Sequence, residues 1–175
     1  FEMEMKVLLF IFCLSFSLNV KAQIDTIFWF APPEISSHSA NFDLPIFLRL
    51  TTFASPAEVS ISQPANPSFT TITVTIGANQ TGSVDLSNWI NSIETRPPNA
   101  VLNTGLLIES NADITAYYEN ASTFCNCNPE VFALKGKNAL GTDFVIPGQN
   151  HFDNAFAYNP AAKNSFDIVA TEDNT

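Results

Sequence analysis

The chain has 175 residues, of which 46% are apolar and 14% charged, and 17 Asp and Glu against 7 Lys and Arg give a net charge of −10. That balance argues against nucleic acid and anionic membrane surfaces as partners, since both are bound by basic side chains that neutralise phosphates. The apolar share is enough for a core, so it argues against disorder, and the length suits one domain.

In chain order, residues 5–22 read as a secretory signal peptide. Lys6 supplies the positive start, Val7 to Leu18 the apolar stretch, and Val20 and Ala22 the small residues before a cleavage site near Ala22-Gln23. The apolar run, about 12 residues, is well short of the ~20 that a spanning helix needs, so no membrane span is expected in the mature chain. Residues 1–4 precede the start at Met5 and read as an upstream or non-native extension. The chain stops at Asp173-Asn174-Thr175 with no terminating element, so 23–175 is expected to be one N-terminal domain of a longer chain.

From residue 24 onward, β-branched runs and period-two alternation recur, while helical periodicity is nearly absent. Strands are predicted over 24–30, 45–52, 57–62, 69–76, 82–86, 105–110, 114–119, 131–135, 144–146 and 165–171. The clearest alternate strictly: Ile46, Leu48 and Leu50 against Phe47, Arg49 and Thr51, and Ile72, Val74 and Ile76 against Thr71, Thr73 and Thr75. Pro32-Pro33 ends the first strand, and Gln63-Pro64-Ala65-Asn66-Pro67 is a turn. One helix is predicted over 85–94, capped by Asp85 or Ser87, with Leu86, Trp89, Ile90 and Ile93 on one stripe. The segment 136–141 reads as a loop between strands, and 150–163 as a long polar and aromatic loop. Nine or ten short strands at this spacing leave no room for βαβ crossovers and predict an all-β fold, an antiparallel β-sandwich with one short helix.

Chemistry-bearing residues are few. The histidines are His38 and His151, and no metalloprotease, nucleophile-elbow, P-loop or dinucleotide motif occurs. No catalytic, cofactor-binding or metal-ligating residue is assigned, and the expected function is not enzymatic. Beyond the leader two cysteines remain, Cys125 and Cys127, in Phe-Cys-Asn-Cys-Asn-Pro. Three readings stand: a local disulfide pinning a loop, free or otherwise paired thiols, and a metal or redox site. Glu172-Asp173-Asn174 offers hard oxygens for calcium but lacks EF-hand spacing, and a strand-end turn accounts for it better. In Tyr117-Tyr118 one ring should enter the core and the other face outward, where it can stack on a sugar or a protein. Recognition on such scaffolds is carried by loops. His151, Phe152, Phe156 and Tyr158 on the 150–163 loop are therefore the candidate binding residues.

Several segments resemble, in order, a known domain: Phe28-Trp29-Phe30-Ala31-Pro32-Pro33-Glu34, Leu48-Arg49-Leu50-Thr51-Thr52, Ile61 to Pro67, Asn103 to Ile108, Ile114 to Glu119, Asn128-Pro129-Glu130, Leu134 to Thr142 and Val169 to Thr175. The pattern is similar to the N-terminal domain related to the IgG Fc-binding protein, found in large exported surface proteins of Bacteroidetes. Many of those end in a gliding-motility-type sorting domain read by the type IX secretion system. Asp25-Thr26-Ile27 likewise resembles the short site at which such bacteria attach O-glycans. The resemblance implies a secreted, cell-surface adhesion or binding module with an unidentified protein or glycan ligand, and it supplies no catalytic residues. Cys125-Asn126-Cys127 and the missing sorting domain depart from the pattern. Two other readings stand beside it. One is an accessory, carbohydrate-binding module of an exported enzyme whose catalytic domain lies beyond residue 175. The other is a spacer without a ligand.

Overall fold

The computed structural model describes residues 23–34, 44–123, 129–148 and 165–172. The strands are β1 (Asp25–Phe30), β2 (Ile46–Thr52), β3 (Ala57–Ser62), β4 (Ile72–Ile76), β5 (Thr81–Asp85), β6 (Leu106–Asn120) and β7 (Glu130–Ala133). All their pairings are antiparallel. The single α-helix among the described residues, α1, spans Ile90–Ile93 and follows a 3-10 turn at Ser87–Trp89. A second 3-10 turn covers Gly136–Ala139. Among the described residues the fold is thus all-β with one short helix.

Its organising element is β6. The 15 residues of this strand pair with β1 and β3 along the first part and with β2 and β7 along the second. Strands β2 and β3 therefore follow one another along β6, joined by residues 53–56. Strands β4 and β5 return beside them, β4 on β3 and β5 on β2, joined by residues 77–80. Together they form one long hairpin with a bend in the middle. The sheet path β4-β3-β6-β2-β5 nearly closes as a barrel, and one sheet folded over its core serves as both layers.

A few polar groups fix the bend. Thr52 is buried, and its hydroxyl lies 2.5 Å from the Gly77 carbonyl and 3.1 Å from the Gln80 amide nitrogen. The backbone closes the same corner through Thr52 N–H to Gln80 O (2.9 Å) and Asn79 N–H to Phe53 O (2.7 Å). Asn79 takes a φ of 54°, a conformation that asparagine tolerates better than most residues. Across the bend on β6, Asn111 Oδ1 accepts from Glu58 N–H (2.9 Å) and the Ser110 hydroxyl donates to Ala112 O (2.6 Å). A second junction is built on buried Gln63. Its amide donates to Ser92 O and Thr104 O, and its carbonyl accepts from Asn66, tying the helix end, the approach to β6 and the proline turn together. Leaving such buried groups unpaired costs about 1–3 kcal/mol each, so the junctions fix geometry more than they add net stability.

Alternation places the core. Ile46, Leu48 and Leu50 of β2, Val59 and Ile61 of β3, Ile108, Ile114 and Tyr118 of β6, and Phe28 of β1 are fully buried. Leu86 and Ile93 close the cluster from the helical segment, with Trp89 and Ile90 half-buried against it. Each such side chain contributes about 1.5–3 kcal/mol by leaving water.

Several predicted elements differ. Residues 105–110 and 114–119 form one strand, because the chain stays extended through Asn111, Ala112 and Asp113 and pairing resumes at Ile114. Residues 144–146 and 165–171 are not strands. They alternate, but no described segment hydrogen-bonds alongside them, and Val145 is 97% exposed. The predicted helix begins later than residue 85. Asp85 accepts the Ser87 N–H (2.8 Å) as an Asx turn, while the residue at the cap position is Leu86, which bears no capping side chain.

Candidate functional site

The structure gathers aromatic and acidic side chains where the end of β1 and the start of β7, which pair with opposite ends of β6, come together. Phe30 ends β1, and Ala31-Pro32-Pro33 carries the chain out to Glu34. Proline has no N–H to offer a neighbouring strand, so pairing stops there. On β7, Glu130 and Phe132 alternate with Val131 and are separated by two residues, hence on the same face. Residues 165–167 supply the opposite wall. Between them lies an open cleft of about 490 Å³, lined among others by Phe30, Glu34, Glu130, Phe132, Phe166 and Asp167.

The floor is rigid. Phe30 packs 5.0 Å from buried Tyr118 and 5.8 Å from Phe132, ring centre to ring centre, and Tyr118 and Phe132 lie 6.2 Å apart, all in tilted geometries that aromatic pairs favour. Phe166 stands at the rim, 62% exposed. Three carboxylates surround these rings. Glu34 approaches the Arg96 guanidinium at 3.6 Å, and Arg96 also donates to buried Glu94 (2.6 Å). Among the described residues neither Glu130 nor Asp167 has an ion-pair partner. The cleft lining has carboxylates and the Ser165 hydroxyl but no imidazole, thiol or amine among the described residues. No group of three His, Cys, Asp or Glu there is placed to hold a metal ion. The exposed lining is mainly polar, with parts of Phe30, Phe132 and Phe166 set among the carboxylates.

A second polar cluster anchors β1. Asp25 accepts the Lys137 N–H (2.8 Å) and the Thr26 N–H (2.7 Å), and the Lys137 ammonium lies 3.5 Å away. Burial alone would raise the Asp25 carboxyl. The hydrogen bonds from Lys137, Thr26 and Ile27 and the Lys137 charge outweigh it and hold the pKa below the ordinary 3.8. Gly136 makes this contact possible. Its φ is +56°, and a Cβ there would sit 2.5 Å from Asp25 Cβ. Asp85 is likewise lowered, by the Ser87 hydroxyl and then the Ser87 N–H.

The sequence candidates are placed unevenly. His151, Phe152, Phe156 and Tyr158 lie outside the described residues, as do Cys125, Cys127 and His38. Tyr118 enters the core and Tyr117 takes the other face, half-buried, with its hydroxyl donating to Gln23 Oε1 (3.2 Å). Glu172 is exposed. The cleft residues were not singled out by sequence, although each contributing segment puts a phenylalanine within four residues of an acid: Phe30 and Glu34, Glu130 and Phe132, Phe166 and Asp167. No described helix is long and apolar enough to cross a membrane.

No protein-family model matches the chain, and no curated protein sequence matches it. Among solved structures, the chain is similar to the Anabaena sensory rhodopsin transducer, at 16% identity and a TM-score of 0.27, over 57% of this chain and 97% of that one. At that score the likeness informs neither fold nor function.

Proposed function

We propose that this chain is a non-enzymatic binding or adhesion module, exported through its signal peptide, cleaved near Ala22-Gln23 and displayed on the outer surface of a bacterium as part of a large exported protein. The family reading goes with it: an N-terminal domain similar to that of the IgG Fc-binding-protein type. The observation that carries the proposal is the open cleft, whose phenylalanines and carboxylates offer adsorption chemistry on an all-β scaffold. The signal-peptide pattern and the ordered segment resemblance support the location. Exposed recognition surfaces on segments outside the strands are what such a scaffold uses for partners.

Brief protease treatment of intact cells, with mass spectrometry of the released peptides, tests this reading. Peptides from 23–175, with an N-terminus at Gln23, are the expected result. A chain retained inside intact cells, or one still carrying residues 5–22, would overturn it. The accessory-module reading draws on the same aromatic rings, which can stack on sugars. Sedimentation with insoluble polysaccharide separates the two: retention favours the accessory module, and none favours a protein ligand.

A further inference from the structure

The molecule already holds one guanidinium between a phenylalanine and a carboxylate. On β2, the Arg49 guanidinium carbon lies 4.5 Å from the Phe47 ring centre, while Arg49 Nε donates to Glu119 (2.5 Å) and Nη1 to the Ser83 hydroxyl (3.0 Å). Arginine suits this setting because its flat, weakly hydrated cation can lie over a ring face while its N–H groups reach a carboxylate at the edge. The cleft between β1, β7 and residues 165–167 presents the same two ingredients to solvent. Phe30, Phe132 and Phe166 supply ring faces, and Glu130 and Asp167 supply carboxylates without an ion-pair partner among the described residues. Glu34 is already engaged by Arg96 at 3.6 Å and is not counted among the receiving carboxylates. A net charge of −10 adds long-range attraction for a basic partner.

We propose that this cleft takes an arginine side chain of a protein partner, the guanidinium lying against the phenylalanine faces and donating to Glu130 and Asp167. The proposal rests on the binding-module reading and names the chemistry of its ligand. Its occupant is a protein segment with an accessible arginine, rather than a neutral glycan. The open cleft, about 490 Å³, has room for one such side chain.

Titration of the full mature chain with an acetylated, amidated hexaarginine peptide at low salt, followed by calorimetry and by NMR of backbone amides, tests it. Resonances of Glu34, Glu130, Phe132, Phe166 and Asp167 should shift together. The Glu130→Gln/Asp167→Asn variant should bind about tenfold more weakly and Phe166→Ala about threefold, since exposed ion pairs and cation–π contacts each contribute modestly. All three positions are exposed, so folding should be unaffected. The control is Glu58→Gln/Glu109→Gln, which removes the same charge from exposed positions elsewhere and should bind as the parent does. Hexalysine should bind more weakly than hexaarginine. Equal loss in the control, shifts spread over the whole acidic surface, or no binding at low salt would overturn the arginine cleft. Those failures leave the export and display reading standing. Failure of surface display, by contrast, sinks that reading without touching the peptide data.

Discussion

At the scale of single residues, Asp25 shows how one side chain joins distant parts of the chain. It sits at the start of β1, yet its partners are the N–H and ammonium of Lys137, after β7. Because its folded pKa lies below the ordinary 3.8, its contribution to stability is fully present above that value and fades as pH falls through the lower folded value. Asp25→Asn should therefore be less stable than the parent at pH 6, with the gap narrowing on acidification as the parent's carboxylate takes up its proton. Urea melts at a series of pH values read this directly. A gap that stays constant down to pH 2 would mean that the ionised form is not what stabilises. Gly136 belongs to the same contact. A side chain there would push into Asp25 and would also force a left-handed backbone on a residue with a Cβ, which costs about 1–3 kcal/mol.

At the scale of elements, the strands that alternate and lie beside β6 or its neighbours form where the sequence places them, within a few residues. The register of buried Ile46, Leu48 and Leu50 was readable because one face must leave water. What alternation does not encode is a partner. Residues 144–146 and 165–171 have the composition of strands, and Val145, Ile146, Phe166 and Ile168 stay exposed because no described neighbour offers a ladder. Conversely, residues 111–113 separate two predicted strands and instead mark a bend within one, where Asn111 accepts from the adjacent strand. The helix stripe was legible from Leu86, Trp89, Ile90 and Ile93, but its short extent was not. The cleft was not legible at all, because it assembles three segments more than thirty residues apart in sequence. The absence of pairing makes a clear forecast. Val145→Pro and Ile168→Pro should change stability by less than about 0.5 kcal/mol, since neither position has a ladder hydrogen bond to lose. Val59→Pro, in β3 between β4 and β6, should unfold the domain. Circular dichroism melts of the three variants check this, and a large loss at Val145 would reveal a missing partner strand.

At the scale of the whole molecule, β6 makes the two ends of the sheet one unit. Its first residues pair with β1 and β3 and its last with β2 and β7, so neither end can lose its core without stripping a face of the shared strand. Unfolding should accordingly be a single transition. The chain's two tryptophans report from different places, Trp29 in β1 and Trp89 in the 3-10 turn before α1. Trp29→Phe and Trp89→Phe each leave one reporter, and their fluorescence melts should coincide with each other and with circular dichroism. Separate midpoints would show that the sheet comes apart in two stages. The acidic surface acts at this scale as well, and adding salt should weaken any long-range pull on a basic partner before it weakens contacts inside the cleft.

The central place of β6 also sets an order in time. The bent hairpin of β2 to β5 is complete at Asp85, but its covering strand ends at Asn120. At synthesis rates of about 5–20 residues per second, the hairpin emerges and waits for seconds with a row of unpaired backbone groups open beside bare Leu48, Leu50, Val59 and Ile61. An open edge beside an apolar face is the template on which strands of separate chains pair. The newborn chain is therefore most prone to aggregate after its first five strands have been made and before its sixth arrives.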